Sequence, residues 1–272
     1  MSGHSKWSTI KRAKGAADIK RGLTFTKVAN AITIATKLGG SGDPDSNPRL
    51  RMAIDEARSV NMPKENIQRA IDRGLSKGGE QSLEEVFYEG FGPSKVAFIV
   101  EGVTDNKMRT LQSVKNLFDK NGGVLAQAGA VSYMFERKGE IKVKSKNEKV
   151  KSKEDEMLEL IDLGAEDVES FDAVYPERSR GTQDFADAQE KQTYLIYVQS
   201  PELNTMGIKI TQAGYRVESQ GLVFKPTILV EVKDKESAEK VLEFAGKLEE
   251  LDDVQKVYAN FNISDEILNS NI

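Results

Sequence analysis

The sequence predicts an α+β protein: a small helical N-terminal domain and two α/β domains of βαββαβ (ferredoxin-like) type, one inserted in the other. Three observations carry this reading. Apolar residues from 15 to 75 step by three and four, which is helical periodicity, whereas beyond residue 95 β-rich runs alternate with amphipathic stretches. The order strand, helix, strand occurs twice, at 96–135 and 227–261, and neither half holds enough sheet to be stable alone. Between these halves lies a stretch that reads as a complete βαββαβ unit. The economical organisation is a helical domain 1–79, a discontinuous α/β domain 80–135 plus 226–272, and an inserted α/β domain 136–225, with Pro226 at the return point.

In the helical domain Phe25, Val28, Ile32, Ala35 and Leu38 share one helix face, and Gly39-Gly40 stops that helix. Asn47-Pro48 supplies an N-cap and a first-turn proline for a second helix, with Leu50, Ile54, Ala57 and Val60 on its buried side. Pro63 opens a third helix carrying Ile67, Ala70 and Ile71, and Gly74 stands where a C-cap glycine belongs. In the discontinuous domain Val96–Val103 reads as a strand. Asp105-Asn106 caps a helix with Met108, Leu111, Val114 and Phe118 inward, Gly122-Gly123 ends it, and Val131–Phe135 reads as the next strand. After the insert come strand Thr227–Val232, helix Ser237–Leu251 and strand Val254–Phe261. The insert itself reads as strand, helix 154–163, short strand, strand 193–199, helix 202–213 and strand 216–224.

The 272 residues contain no cysteine and a single histidine, His4, which excludes disulfides, thiolate metal sites and a buried histidine relay. The longest clean apolar run, Val96–Val100, is far too short to span a membrane, and the N-terminus has no apolar signal core, so a cytoplasmic protein is expected. Gly39–Asp43 is glycine-rich but lacks the Gly-Lys-Ser/Thr of a phosphate loop. Asp155, Glu156 and Glu159 could be read as a metal set, but acids favour a helix start and a solvated face explains them better. No catalytic residue, metal, cofactor or small-molecule substrate is expected, and the chain reads as a non-enzyme.

Charge is distributed unevenly. Residues 1–78 hold 15 Lys and Arg against 7 Asp and Glu, whereas 136–225 hold 14 against 18 and 226–272 hold 5 against 11, all within a net charge of −4. Only the N-terminal part suits a polyanion. There Lys6, Lys11, Arg12, Lys14, Lys20, Arg21 and Lys27 surround Trp7, the only tryptophan, and a basic arm with an aromatic suits a phosphate backbone with an exposed base. Lys64 and Arg69 extend the candidate nucleic-acid site onto the third helix; Arg73 has a sufficient explanation in the helix dipole. The second and third helices show no helix-turn-helix spacing, and no base-reading face is evident. In the insert, Tyr194, Tyr197 and Phe224 lack the surrounding string of an RNA-recognition module and read as core or interface residues.

The string Gly3-His4-Ser5-Lys6-Trp7, then Phe25-Thr26-Lys27, Gly39-Gly40, Asp43-Pro44, Asn47, Leu50-Arg51, Asn61-Met62-Pro63-Lys64, Asn66-Ile67 and Arg69-Ala70-Ile71 resembles the YebC/PmpR family. Tyr88-Glu89-Gly90-Phe91-Gly92-Pro93, Thr104-Asp105-Asn106, Arg109-Thr110 and Gly122-Gly123 are similar to its second-domain motif. The resemblance implies three domains, one discontinuous. It also implies a nucleic-acid-binding regulator of gene expression, generally labelled a DNA-binding transcriptional regulator. Other relatives imply a different partner, ribosomal RNA or tRNA on the ribosome: one is a mitochondrial translational activator of cytochrome c oxidase subunit I, and others relieve stalling at proline-rich stretches. The chain departs from the family at Leu23 and at Asn30-Ala31-Ile32, where two cations are absent.

Overall fold

The computed structural model describes residues 17–76, 83–145, 152–171, 192–264 and 267, with the backbone alone for 17–21 and 171. The chain forms two compact units, one running to Glu136 and resuming at Phe224, the other spanning Arg137–Val223.

The first unit opens with helices α1 (Ala17–Gly39), α2 (Pro48–Ser59) and α3 (Lys64–Leu75). Val28, Ile32 and Ala35 of α1, Leu50, Ile54 and Ala57 of α2, and Ile67, Ala70 and Ile71 of α3 make one core, as their spacing predicts. Leu38 departs from that expectation and is 57% exposed, because the contribution of α1 to this core ends at Ala35. Gly74 also departs: it lies inside α3, not after it. A Cβ there would sit 2.6 Å from the Thr33 carbonyl oxygen and from Thr36 Cβ, so the glycine serves close approach of α1 and α3.

Strands β1 (Glu84–Phe91), β2 (Ala97–Thr104) and β3 (Val124–Ala126), with helix α4 (Lys107–Lys120), come before the insert. After the insert the unit adds β8 (Val230–Val232), α7 (Lys235–Glu249), β9 (Val254–Ala259) and β10 (Phe261–Ile263). The main sheet has the order β3-β1-β2-β9, antiparallel throughout, and β8 pairs with β10 in parallel. Phe98 and Val100 of β2 pack with Val114 and Phe118 of α4 and with Val241, Phe244 and Leu248 of α7. Phe98, Phe118 and Phe244 meet edge to face at centroid distances of 4.9–6.4 Å. This core therefore draws on chain segments from both sides of the insert. On the opposite face of the sheet Val103 and Leu83 pack on Ile34 of α1, Arg49 pairs with Glu85, and Lys37 Nζ donates to the Leu83 carbonyl at 2.9 Å. These contacts join the three helices and the sheet into one unit.

Three further expectations for this unit fail. Residues 131–134 are not a strand, which begins only at Phe135: Ser132–Met134 form a short 3₁₀ turn, because the backbone N–H groups of Gly129, Val131 and Ser132 donate to the Glu89 carboxylate at 2.8–2.9 Å and are withdrawn from any ladder. Met108, expected inward, is 73% exposed; the inward residue of that turn is Thr110, which donates to Asp253 Oδ2 at 2.6 Å. The strand expected at 227–232 is shortened to β8, since the Thr227 N–H donates to the Met134 carbonyl at 2.8 Å instead.

The second unit has β4 (Phe135–Lys144), α5 (Lys153–Asp162), β5 (Asp167–Phe171), β6 (Thr193–Gln199), α6 (Leu203–Gln212) and β7 (Arg216–Pro226), with sheet order β5-β6-β4-β7. This is the expected βαββαβ order. Tyr194 and Tyr197 are buried, as expected of core residues. Glu156, expected to be solvated, is 4% exposed, with Tyr194 Oη and Ser145 Oγ donating to its carboxylate at 2.7 and 2.9 Å. Satisfying both oxygens is what makes its burial tolerable.

Candidate nucleic-acid interface

Lys6, Trp7, Lys11, Arg12 and Lys14 lie outside the described residues, and Lys20 and Arg21 stand on α1 where the backbone alone is described. Lys27 is half-buried and its Nζ donates to the Glu249 carbonyl at the C-terminal end of α7, so it ties α1 to the sheet part of the unit. Lys64 and Arg69 lie on the exposed side of α3 together with Arg73.

The elements around α3 are held by polar side chains that bond back to the main chain. Asn47 caps α2 by accepting from the Leu50 N–H at 3.1 Å while its amide donates to the carbonyls of Ala35 and Ser41 at 3.0 and 3.2 Å. Arg51 donates to the carbonyls of Pro44 and Asp45, both at 3.0 Å. The four-residue turn 60–63 takes a left-handed conformation at Asn61 (φ 57°), and Met62 drops into the core, 6% exposed.

The exposed face of α3 divides into engaged and disengaged groups. Gln68 Nε2 donates to Asp72 Oδ1 at 2.9 Å, and Arg69 Nη2 donates to Asn66 Oδ1 at 2.6 Å, with Arg69 Nε reaching the Glu65 carbonyl at 3.3 Å. Lys64 and Arg73 are exposed and have no hydrogen-bond or ion-pair partner among the described residues. They are nine residues apart, about 13 Å along the helix axis. Arg73 sits in the last turn, where the dipole favours a cation. Lys64 sits in the first turn, where the dipole opposes one, so helix stability does not account for it.

The residues of the second-domain motif are internal ties. Arg109 Nη2 donates to Asp105 Oδ1 at 2.7 Å and to Asp253 Oδ2 at 3.0 Å, joining the start of α4 to the segment before β9. Asn106 caps α4, and Tyr88 Oη donates to the Lys107 carbonyl at 3.3 Å. Burial works to raise the Glu89 carboxyl, but the N–H groups of Gly129, Val131 and Ser132 outweigh it and hold the group below the ordinary glutamate value. Among the described residues no group of His, Cys, Asp and Glu could hold a metal ion, and no helix is long and apolar enough to cross a membrane.

Known proteins match this chain over nearly its whole length. The model for the TACO1/YebC protein N-terminal domain matches residues 5–77, and that for the TACO1/YebC second and third domain matches residues 83–261. Proteins named as a probable transcriptional regulatory protein are 46% identical in Chloroflexus aurantiacus, over 98% of both chains, and 44% identical in Thermotoga maritima, over 98% of this chain and 96% of that one. The crystal structure of a conserved hypothetical protein from Aquifex aeolicus superposes with a TM-score of 0.78 at 41% identity, covering 94% of this chain and 96% of the other.

Proposed function

The chain belongs to the TACO1/YebC family, and from that premise we propose that it regulates gene expression by binding nucleic acid through its helical N-terminal part, without a catalytic step. The observation that carries this reading is the pair of exposed cations without partners among the described residues, Lys64 and Arg73, at the two edges of the exposed side of α3 within a segment of excess positive charge. The basic arm Lys6, Lys11, Arg12 and Lys14 with Trp7, and Lys20 and Arg21 on α1, extend the same contact along a phosphate backbone. Arg69 supports it from the exposed arc between them, about 40° from Arg73 around the helix axis.

Two classes of target fit, duplex DNA and structured RNA, and each has an observation in its favour. The naming of the relatives favours a duplex, since proteins 44–46% identical to this chain are named as probable transcriptional regulatory proteins. The engagement of Gln68 with Asp72 and of Arg69 with Asn66 favours structured RNA, because groups that could read base edges are already bonded within the helix. A translational role follows from RNA binding, a transcriptional one from DNA binding. The test is crosslinking in living cells followed by sequencing of the attached nucleic acid. Reads concentrated on ribosomal RNA or tRNA establish the translational role, reads concentrated at a few promoters the transcriptional one, and no enrichment of any nucleic acid overturns the proposal. In solution, replacing Lys11, Arg12, Lys14, Lys20 and Arg21 with Gln should weaken polyanion binding and flatten its salt dependence while leaving the fold intact.

A further inference from the structure

Helices α5 and α7 present solvent faces of different kinds. The face of α7 neutralises itself through Lys235–Glu239, Lys240–Glu236 and Lys247–Glu243, each four residues apart, and exposes no large apolar side chain. On α5 the exposed positions are Glu154, Asp155, Leu158, Ile161 and Asp162, which at 100° per residue fall within an arc of about 120°. Leu158 and Ile161 are 59% and 46% exposed. No lysine or arginine stands on this arc. The helix's other acids are engaged inward, Glu156 by Tyr194 and Ser145, Glu159 by the Tyr215 hydroxyl at 3.1 Å. Asp155 closes the capping box with Ser152, whereas Glu154 and Asp162 have no hydrogen-bond or ion-pair partner among the described residues. A merely solvated helix face would be expected to carry charge pairs like those of α7, not two aliphatic side chains between unpaired acids.

We infer that the exposed face of α5 is a docking surface for a basic protein segment that carries aliphatic side chains. Lysines or arginines of the partner meet Glu154, Asp155 and Asp162, and its aliphatic groups cover Leu158 and Ile161. The charge decides the class of occupant. Nucleic acid and anionic lipid are repelled by the same acids, and so is a second copy of this helix. The inference stands independently of the proposed nucleic-acid contact, which lies in the helical N-terminal part.

The probe is a synthetic amphipathic peptide of lysine, arginine and leucine, titrated into the full chain and followed by backbone amide NMR. Shifts are expected at residues 153–163 and not at 235–249. Changing every leucine of the peptide to serine should weaken binding about tenfold, and Leu158→Ser with Ile161→Ser in the protein should do the same. Glu154→Gln with Asp162→Asn should weaken it about threefold and flatten its salt dependence. These exposed substitutions should leave the rest of the amide spectrum and the affinity for nucleic acid unchanged. Equal shifts at α7, or equal binding by the serine peptide, would overturn the inference by reducing the effect to undirected charge attraction.

Discussion

The loop from Gly39 to Asn47 and the helix α3 are both rich in polar residues, yet they use them in opposite ways. In the loop almost every polar group is bonded internally: Asn47 makes three bonds, Arg51 clamps two carbonyls, and Ser41 Oγ meets Ser46 Oγ at 2.8 Å. On α3, Lys64 and Arg73 are left without partners, and Lys64 opposes the helix dipole. Both stretches contribute residues to the family resemblance. The difference teaches that a shared motif mixes two kinds of residue, those that specify the fold and those the fold does not need. The second kind is where a binding role belongs.

The sharpest way to break this comparison is at Asn47. Asn47→Ala removes the cap of α2 and one of the donors to the buried Ala35 carbonyl, which keeps its bond within α1, so a loss of about 1–2 kcal/mol is expected in urea unfolding. At temperatures where the variant stays folded, its affinity for nucleic acid should match that of the parent. A lower affinity in the folded variant would show that the loop is part of the interface.

A smaller effect is expected at Glu89, the counterpart of Asn47 in the sheet part of the unit. Its carboxyl titrates below the ordinary glutamate value in the folded protein. The stabilisation it provides is therefore complete above the unfolded value and is lost as pH falls through the lowered folded value. Glu89→Gln should cost about 1 kcal/mol at neutral pH, because a half-exposed carboxylate is partly screened by solvent. It should also flatten the acid limb of the stability profile, which thermal melts between pH 3 and pH 7 (about the range over which glutamate titrates) would record. An unchanged acid limb would mean that the loop 129–132 keeps its shape without the carboxylate.

Features carried by neighbours in sequence were legible before the structure. Asn47-Pro48 marked the start of α2, Asn106 that of α4, and the six elements of the second unit followed in the expected order. Features that depend on distant partners were not. Nothing in the spacing of β1 discloses that Glu89 will collect three N–H groups some forty residues later, and so 131–135 read as a strand. Asp253 likewise meets Arg109 and Thr110 across the whole insert. Glu156 looked solvated because its apolar surroundings come from β6. At the candidate interface, Lys64 and Arg69 were legible as cations, but which of the cations on α3 lacks a partner depends on rotamers that a sequence does not specify.

The mildest substitutions test the comparison from its other side. Lys64→Gln with Arg73→Gln touches no described partner, so stability should stay within about 0.5 kcal/mol. Relief of the dipole conflict at position 64 could even add a few tenths, roughly the value of one terminal charge. Binding should respond instead: each neutralised phosphate contact lowers the slope of log affinity against log salt by a little under one, so the double variant should lose about 1.5 to 2 from that slope. Filter binding across a salt series measures this with random duplex and with structured RNA in parallel. If the slope falls with one ligand and not the other, α3 belongs to the interface for that ligand. If it falls with neither, the exposed cations of α3 are solvated surface, and the binding role must rest on the basic arm.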